Sequence, residues 1–261
     1  MSHTKFSSLY HFAFLMTGDR EDARRHLTEF LDADDSSDAA VSNDAVDERD
    51  RFDARLGALA RRIVDQLGRR ASTSFTILDN ILRTEITRPV NLDEAVFGGD
   101  PERVPVLLWE LKRTCLTRVL GCLPPSVRVA FVLTHIFSYP PGAASDLLNI
   151  RESAYRVRLT RARKRVEDFL GPRCEHLNPI NPCNCAGRLA IALEQGFVEF
   201  PPHTIDTPLG VHNERHTGTD VLLLYRGLPG VEPVDPDSRG EALEGCDRLR
   251  AGVHGVSEYE R

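Results

Sequence analysis

Aromatic residues are scarce in this 261-residue chain, at 7% of positions with a single Trp. Any core must therefore be largely aliphatic. Long apolar runs are lacking as well. Stretches such as Val104–Trp109 and Val221–Tyr225 fall far short of the roughly 20 residues of a membrane-spanning helix, which leaves no membrane partner expected. At the N-terminus, Tyr10, His11 and Thr17 interrupt the short apolar patch. No small-residue cleavage site follows, so an export signal is not expected and the cytoplasm is the expected compartment. A phosphate-binding Gly-rich loop, Gly-x-Ser-x-Gly and His-Glu-x-x-His are all missing. The carboxylates show no pairing suited to acid–base work, so no catalytic role is expected. Excess positive charge is absent too: the formal net charge is −6, which excludes a coat of basic charge for non-specific nucleic-acid binding.

What is present reads as helix. The 41% hydrophobic content is enough for cores. Residues 5–31 carry Leu9, Phe12, Ala13 and Met16 at helical spacing, with a break at Thr17–Gly18–Asp19 and a restart for which Asp19 is the N-cap. Residues 32–50 hold eight acids and one Arg and predict a solvated acidic loop, with shielding of basic residues as the alternative. Leu56, Leu59, Ala60, Ile63 and Leu67 form one continuous helical face. A short helix is expected at 76–83. Further helices are expected at about 103–121, 125–137, 143–148 and 152–170, separated by Pro-containing breaks at 123–126 and 138–142 and by a tight turn at Asn149–Arg151. Val221–Tyr225 reads as strand-like. The expected architecture is all-α. Residues 1–75 form one small helical domain, 76–101 a linker and 102–171 a second domain. A Cys-cluster segment (172–200) and a tail (201–261) form a mostly irregular extension.

Leu147–Leu170 is the most informative stretch. A short helix, a tight turn at Asn149–Arg151 and a long Arg-rich helix make a helix-turn-helix pattern. Tyr155, Leu159, Ala162, Val166 and Phe169, spaced 4, 3, 4 and 3, make its buried face. Arg151, Arg156, Arg158, Arg161, Arg163, Lys164 and Arg165 project elsewhere. Arg151–Arg173 contains eight basic and three acidic residues, a balance of +5. Such a helix has the width of the major groove and the charge that phosphates attract. The plainer alternative is the solvated face of an ordinary helix.

These residues resemble the C-terminal conserved region of bacterial RNA polymerase sigma factors of the extracytoplasmic-function (ECF) type. The match runs in register through Leu123–Pro124, Arg128, Phe131, Leu133, Leu148, Ile150, Arg158, Leu159, Arg161, Ala162 and Arg163. The resemblance implies that this module reads the promoter −35 element. It places Arg151, Ser153, Arg156, Val157, Thr160 and Arg161 at the DNA, with Arg158, Arg163 and Lys164 on the same basic helix. More loosely, Leu9–Ala23 and Phe52–Arg70 resemble the sigma region that binds polymerase core and opens the −10 element. Two departures stand out. Arg24–Leu31 replaces the usual acidic core-binding stretch, and Arg55 stands where that helix usually begins with Trp.

Cys174, Cys183 and Cys185 crowd into twelve residues, with His176 among them. The pattern admits a tetrahedral Cys3His zinc site of Cys174, His176, Cys183 and Cys185, a redox-labile thiol cluster, or free thiols in a structural turn. His203, His212 and His216 are alternatives to His176. Cys115 and Cys122 read as core packing, as do His135 and Trp109. Cys246 stands alone.

Three functions remain open on the sequence. The first is an ECF-like sigma factor whose partners are promoter DNA and RNA polymerase core. The second is a sigma-derived DNA-binding regulator that does not melt promoters. The third is a metal- or thiol-based sensor that binds an anti-sigma partner.

Overall fold

The computed structural model describes residues 3–38, 47–84, 103–194, 198 and 220–228. Helix is the regular element throughout these residues. In chain order they are α1 (His3–Thr17), α2 (Arg20–Asp38), α3 (Glu48–Leu67), α4 (Phe75–Thr84) and α5 (Arg103–Gly121). Then come α6 (Pro125–Phe131), α7 (Pro141–Leu147), α8 (Glu152–Leu170), α9 (Cys185–Glu194) and α10 (Val221–Arg226). A π-helical turn at Val132–Ile136 extends α6, so the helix expected to run to about residue 137 does so. No described helix is long and apolar enough to cross a membrane.

The described residues form two compact units. One contains residues 3–38, 47–75 and 117–168, the other 76–84, 103–116, 169–194, 198 and 220–228. The helices expected in separate domains on either side of residues 76–101 thus belong in large part to one body. Within the first unit α1 is buried on every side from Leu9 to Met16, beyond the single stripe that its spacing suggested. A helix apolar around its circumference is stable only when enclosed, and α2, α3 and α6 all pack on α1. Phe137 completes the enclosure, stacked on His11 at 5.8 Å and edge-on to Phe12 at 5.7 Å. Leu56, Leu59, Ala60 and Ile63 of α3 are fully buried, as their spacing predicted.

Arg128 is the largest fully buried side chain of this unit. Its guanidinium donates to the carbonyls of Met16, Gly121 (2.9 Å) and Leu123 (3.0 Å) and to Ser72 Oγ (3.2 Å). Burial pushes its pKa down to about 10, so the charge persists at neutral pH. It ties the end of α1 to the start of the helix-turn-helix.

Gly57 allows α3 to approach α7. A Cβ there would lie 2.7 Å from the Leu147 carbonyl oxygen. Arg61 donates to the same oxygen, and Tyr139 Oη donates to Asp53 Oδ1 at 2.5 Å. Gly57→Ala should therefore cost about 1–3 kcal/mol through overpacking, despite the better helix propensity of Ala. Chemical denaturation followed by far-UV circular dichroism checks this; an unchanged or raised midpoint would show that the α3–α7 approach is not tight.

Three expectations need correction. Residues 32–38 of the acidic stretch continue α2 and 48–50 begin α3; residues 39–46 lie outside the described residues. Extending a helix anchored by buried Ala23, Leu27 and Phe30 is cheap compared with nucleating one. The start of α3 is favoured by Asp47, whose side chain accepts from Arg49 N, and by Glu48 and Asp50 in the first turn. Val221–Tyr225 is helix, not strand: Asp220 caps it, accepting from Leu222 N at 2.9 Å. Val221, Leu224 and Tyr225 then share one buried face. The 172–200 segment, expected to be mostly irregular, contains α9. Its Leu189 and Ala192 build the core of the second unit with Leu107, Leu111 and Val198. Trp109 is buried as expected, under the Arg113 guanidinium and beside a buried Arg113–Glu110 ion pair.

Candidate nucleic-acid interface and thiol cluster

The helix-turn-helix is built from local chemistry. Pro140 and Pro141 start α7 with preset φ. Asn149 ends it at φ +53°, a left-handed conformation that Asn tolerates better than most residues. Ile150 N returns to the Ser145 carbonyl at 3.0 Å and Asn149 N to Asp146 at 3.0 Å. Glu152 then begins α8, with its carboxylate in the first turn.

The buried face of α8 is the predicted one: Tyr155, Leu159, Ala162, Val166 and Phe169 are all buried. Tyr155 Oη lies 2.7 Å from Thr134 Oγ1 and donates to the Ala130 carbonyl at 2.9 Å, which fixes the rotation of α8 about its axis. Burial pushes this phenol up to about 12, so it stays a donor. Arg151, Ser153, Arg156, Val157, Thr160, Arg161 and Lys164 are consequently exposed, whereas Arg158 is half-buried. Arg156 pairs with Glu152 at 2.6 Å and Lys164 with Asp168 at 3.2 Å. Such exposed i,i+4 pairs are worth little and do not prevent either cation from meeting a phosphate.

Arg163 stands apart from the others. It is half-buried, and its Nε donates to His135 Nε2 at 2.7 Å. His135 is itself buried against Phe131, with ring centroids 4.8 Å apart. The structure thus places Arg163 in the support of α8, while Arg151, Arg156, Arg161 and Lys164 are exposed. His135 is a core histidine, as expected, and its Arg partner was not anticipated.

Residues 113–166 match the family model for sigma-70, region 4. No curated protein and no solved structure matches the chain significantly. Sigma-70 region 4 is a helix-turn-helix, non-enzymatic domain of transcription initiation factors, which agrees with the absence of catalytic motifs in the sequence. The match runs from within α5 to Val166, so it takes in Arg128, the helix-turn-helix and the exposed face of α8.

A second site lies in the other unit. Residues 171–185 fold back so that Cys174 and Cys183 form an isolated parallel β-bridge. Glu175 N donates to the Cys183 carbonyl at 3.1 Å and Cys183 N to that of Arg173 at 2.9 Å. Asn181 pins the loop from inside, its Nδ2 donating to the carbonyls of Gly171 (2.7 Å) and Cys174 (2.9 Å). Glu175 Oε1 accepts from Cys185 N at 2.6 Å and Asn184 Oδ1 from Gly187 N at 2.9 Å, which together start α9. His176 Nε2 lies 3.5 Å from Cys185 Sγ. One ligand atom from each of Glu175, His176 and Cys185 falls within 4.8 Å of the others.

A small cavity of about 30 Å³ is lined by Cys115, Cys174, His176, Cys183 and Cys185, with Lys112 and Arg173 at its wall. Burial raises the Cys174 thiol to about 11 and pushes Cys183 and Cys185 up as well. Cys115, expected as core packing, lines this cavity as well. The packing expectation for Cys122 holds, since it is buried with its Sγ 3.5 Å from the Arg118 carbonyl. His203, His212, His216 and Cys246 lie outside the described residues.

Proposed function

We propose that the chain is a sigma factor of the ECF type, which brings RNA polymerase core to specific promoters from the cytoplasm. The observation that supports this most is the region 4 match over residues 113–166. It coincides with a helix that Arg151 precedes and whose exposed face carries Arg156, Arg161 and Lys164 beside Ser153, Val157 and Thr160. On this reading α8 enters the −35 major groove. The cations divide between phosphates and base edges, with Val157 positioned for a thymine methyl. Helices α1–α3 would engage polymerase core and the −10 element, and an anti-sigma protein is the natural antagonist.

A second reading keeps the DNA binding and drops promoter melting. Arg55 favours it, because opened bases need aromatic or apolar surfaces to stack on. A third would make the thiol cluster the sensor of a protein that binds an anti-sigma partner. Run-off transcription with purified core polymerase tests the choice. A sigma factor yields promoter-specific transcripts and co-purifies with core. DNA binding with neither of these would leave the regulator reading.

A further inference from the structure

The loop that follows α8 carries an inference that is independent of polymerase binding. It gathers three ligand types at one point of the second unit. A carboxylate oxygen of Glu175, a ring nitrogen of His176 and the Cys185 sulfur all lie within 4.8 Å of one another. The three residues are half-buried, so an ion can reach them from solvent. Cys174 and Cys183 line the cavity beside them, but their sulfurs do not belong to this set.

The backbone holds each ligand in place. Glu175 N donates to the Cys183 carbonyl and Leu177 N to that of Cys174, both at 3.1 Å, and these bonds bracket His176. Cys185 N donates to Glu175 Oε1 at 2.6 Å. That bond ties together two ligands 10 residues apart and leaves the second carboxylate oxygen for an ion. Carboxylates that ligate metals are themselves hydrogen-bonded in this way. The spacing of the other pair is that of a coordination shell. Zinc bonds of about 2.3 Å to sulfur and about 2.0–2.1 Å to nitrogen, at a tetrahedral angle of about 109°, set the two ligand atoms about 3.5 Å apart. His176 Nε2 and Cys185 Sγ are 3.5 Å apart.

We propose that Glu175, His176 and Cys185 bind one zinc-class divalent ion, with water as the fourth ligand. Binding displaces the Cys185 thiol proton to solvent, while the carboxylate and the neutral imidazole bind as they are. One thiolate and one carboxylate neutralise the charge of the ion, so the complex is neutral and suits a half-buried site. A mixed set of sulfur, nitrogen and oxygen selects zinc over magnesium or calcium, which prefer oxygen. The cavity of about 30 Å³ lined by His176 and Cys185 has room for the water. The ion cross-links the loop after α8 to the first turn of α9. This set keeps His176 and Cys185 from the four residues that the sequence pattern admits, and takes Glu175 in place of Cys174 and Cys183.

The test uses the full chain, purified under reducing conditions. Zinc content and competition with a chromophoric chelator are measured for wild type, Glu175→Gln, His176→Ala, Cys185→Ser, Cys174→Ser and Cys183→Ser. One zinc per chain is expected for wild type, Cys174→Ser and Cys183→Ser. His176→Ala and Cys185→Ser should bind more than about 100-fold more weakly, beyond the effect of losing an outer partner. Glu175→Gln keeps an acceptor for Cys185 N and should still weaken binding by at least about 10-fold. Cobalt substitution counts the thiolates: the sulfur-to-cobalt charge-transfer band should be unchanged in Cys174→Ser and Cys183→Ser. Cys185→His guards against a folding defect, since it should retain cobalt without the band. A wild type that binds no zinc overturns the site and leaves His176 and Cys185 a hydrogen-bonded pair. A band that weakens in Cys174→Ser or Cys183→Ser, or zinc affinity unchanged in Glu175→Gln, overturns the donor set.

Discussion

Arg128→Ala is expected to destabilise the first unit by about 3–5 kcal/mol, from buried carbonyls that lose their donor together with the cavity that opens. The guanidinium serves three peptide carbonyls and one hydroxyl at a point with no solvent access. Its removal leaves the Met16 and Leu123 carbonyls without that donor, at a cost of roughly 1–3 kcal/mol for each acceptor left unsatisfied, whereas Gly121 O still accepts from Ser72 N at 3.1 Å and Thr73 N at 3.4 Å. It also opens a cavity the size of the side chain. Arg128→Lys should recover only part of this loss, because a point charge cannot span acceptors that the planar fork reaches together. Trp109 belongs to the second unit, so its fluorescence is the wrong probe. Far-UV circular dichroism in urea, or hydrogen exchange of the α1 amides, reports the right body. A loss below about 1 kcal/mol would mean that water takes over the freed carbonyls.

The second large effect concerns α8 and rests on the proposed DNA reading. Simultaneous replacement of Arg156, Arg161 and Lys164 by Ala removes three exposed cations. If each meets a phosphate, the slope of log K against log salt should become shallower by about 2.7, at roughly 0.9 for each contact. Affinity near physiological salt should fall by about 100-fold. Arg163→Ala is the control. Its guanidinium is committed to His135, so stability should drop by about 1 kcal/mol while the salt slope stays near that of wild type. Equal slopes for the triple variant and wild type would remove α8 from the interface. A slope change in Arg163→Ala as large as one phosphate contact would show that this side chain leaves His135 to bind DNA.

The helix-turn-helix was legible in the sequence because its signals are local. Pro140–Pro141, the Asn149 turn, the 4-3-4-3 spacing of Tyr155 to Phe169 and the Arg-rich remainder each act within a few residues. The structure agrees with them nearly residue for residue. The misreadings were also physically specific. Val221–Tyr225 has the composition of a strand, but its cap at Asp220 and a buried face at i, i+3 and i+4 make it a helix. The acidic stretch gave no apolar stripe, but a helix already anchored at Leu27 and Phe30 extends through Asp38 at little cost.

By itself, the sequence determined the all-helical class, the basic recognition-type helix, and which face of it is buried. All of these follow from periodicity and capping, which are encoded over one to five turns. Only the tertiary structure decided which residues meet across long separations. Arg128 reaches Met16, 112 residues away, and Gly57 makes room for Leu147. Arg163 is diverted from the open face by His135, and Cys115 joins a thiol cluster that begins 59 positions later in the chain. No local spacing records such encounters. They are fixed by which surfaces pack, and packing is a property of the whole body.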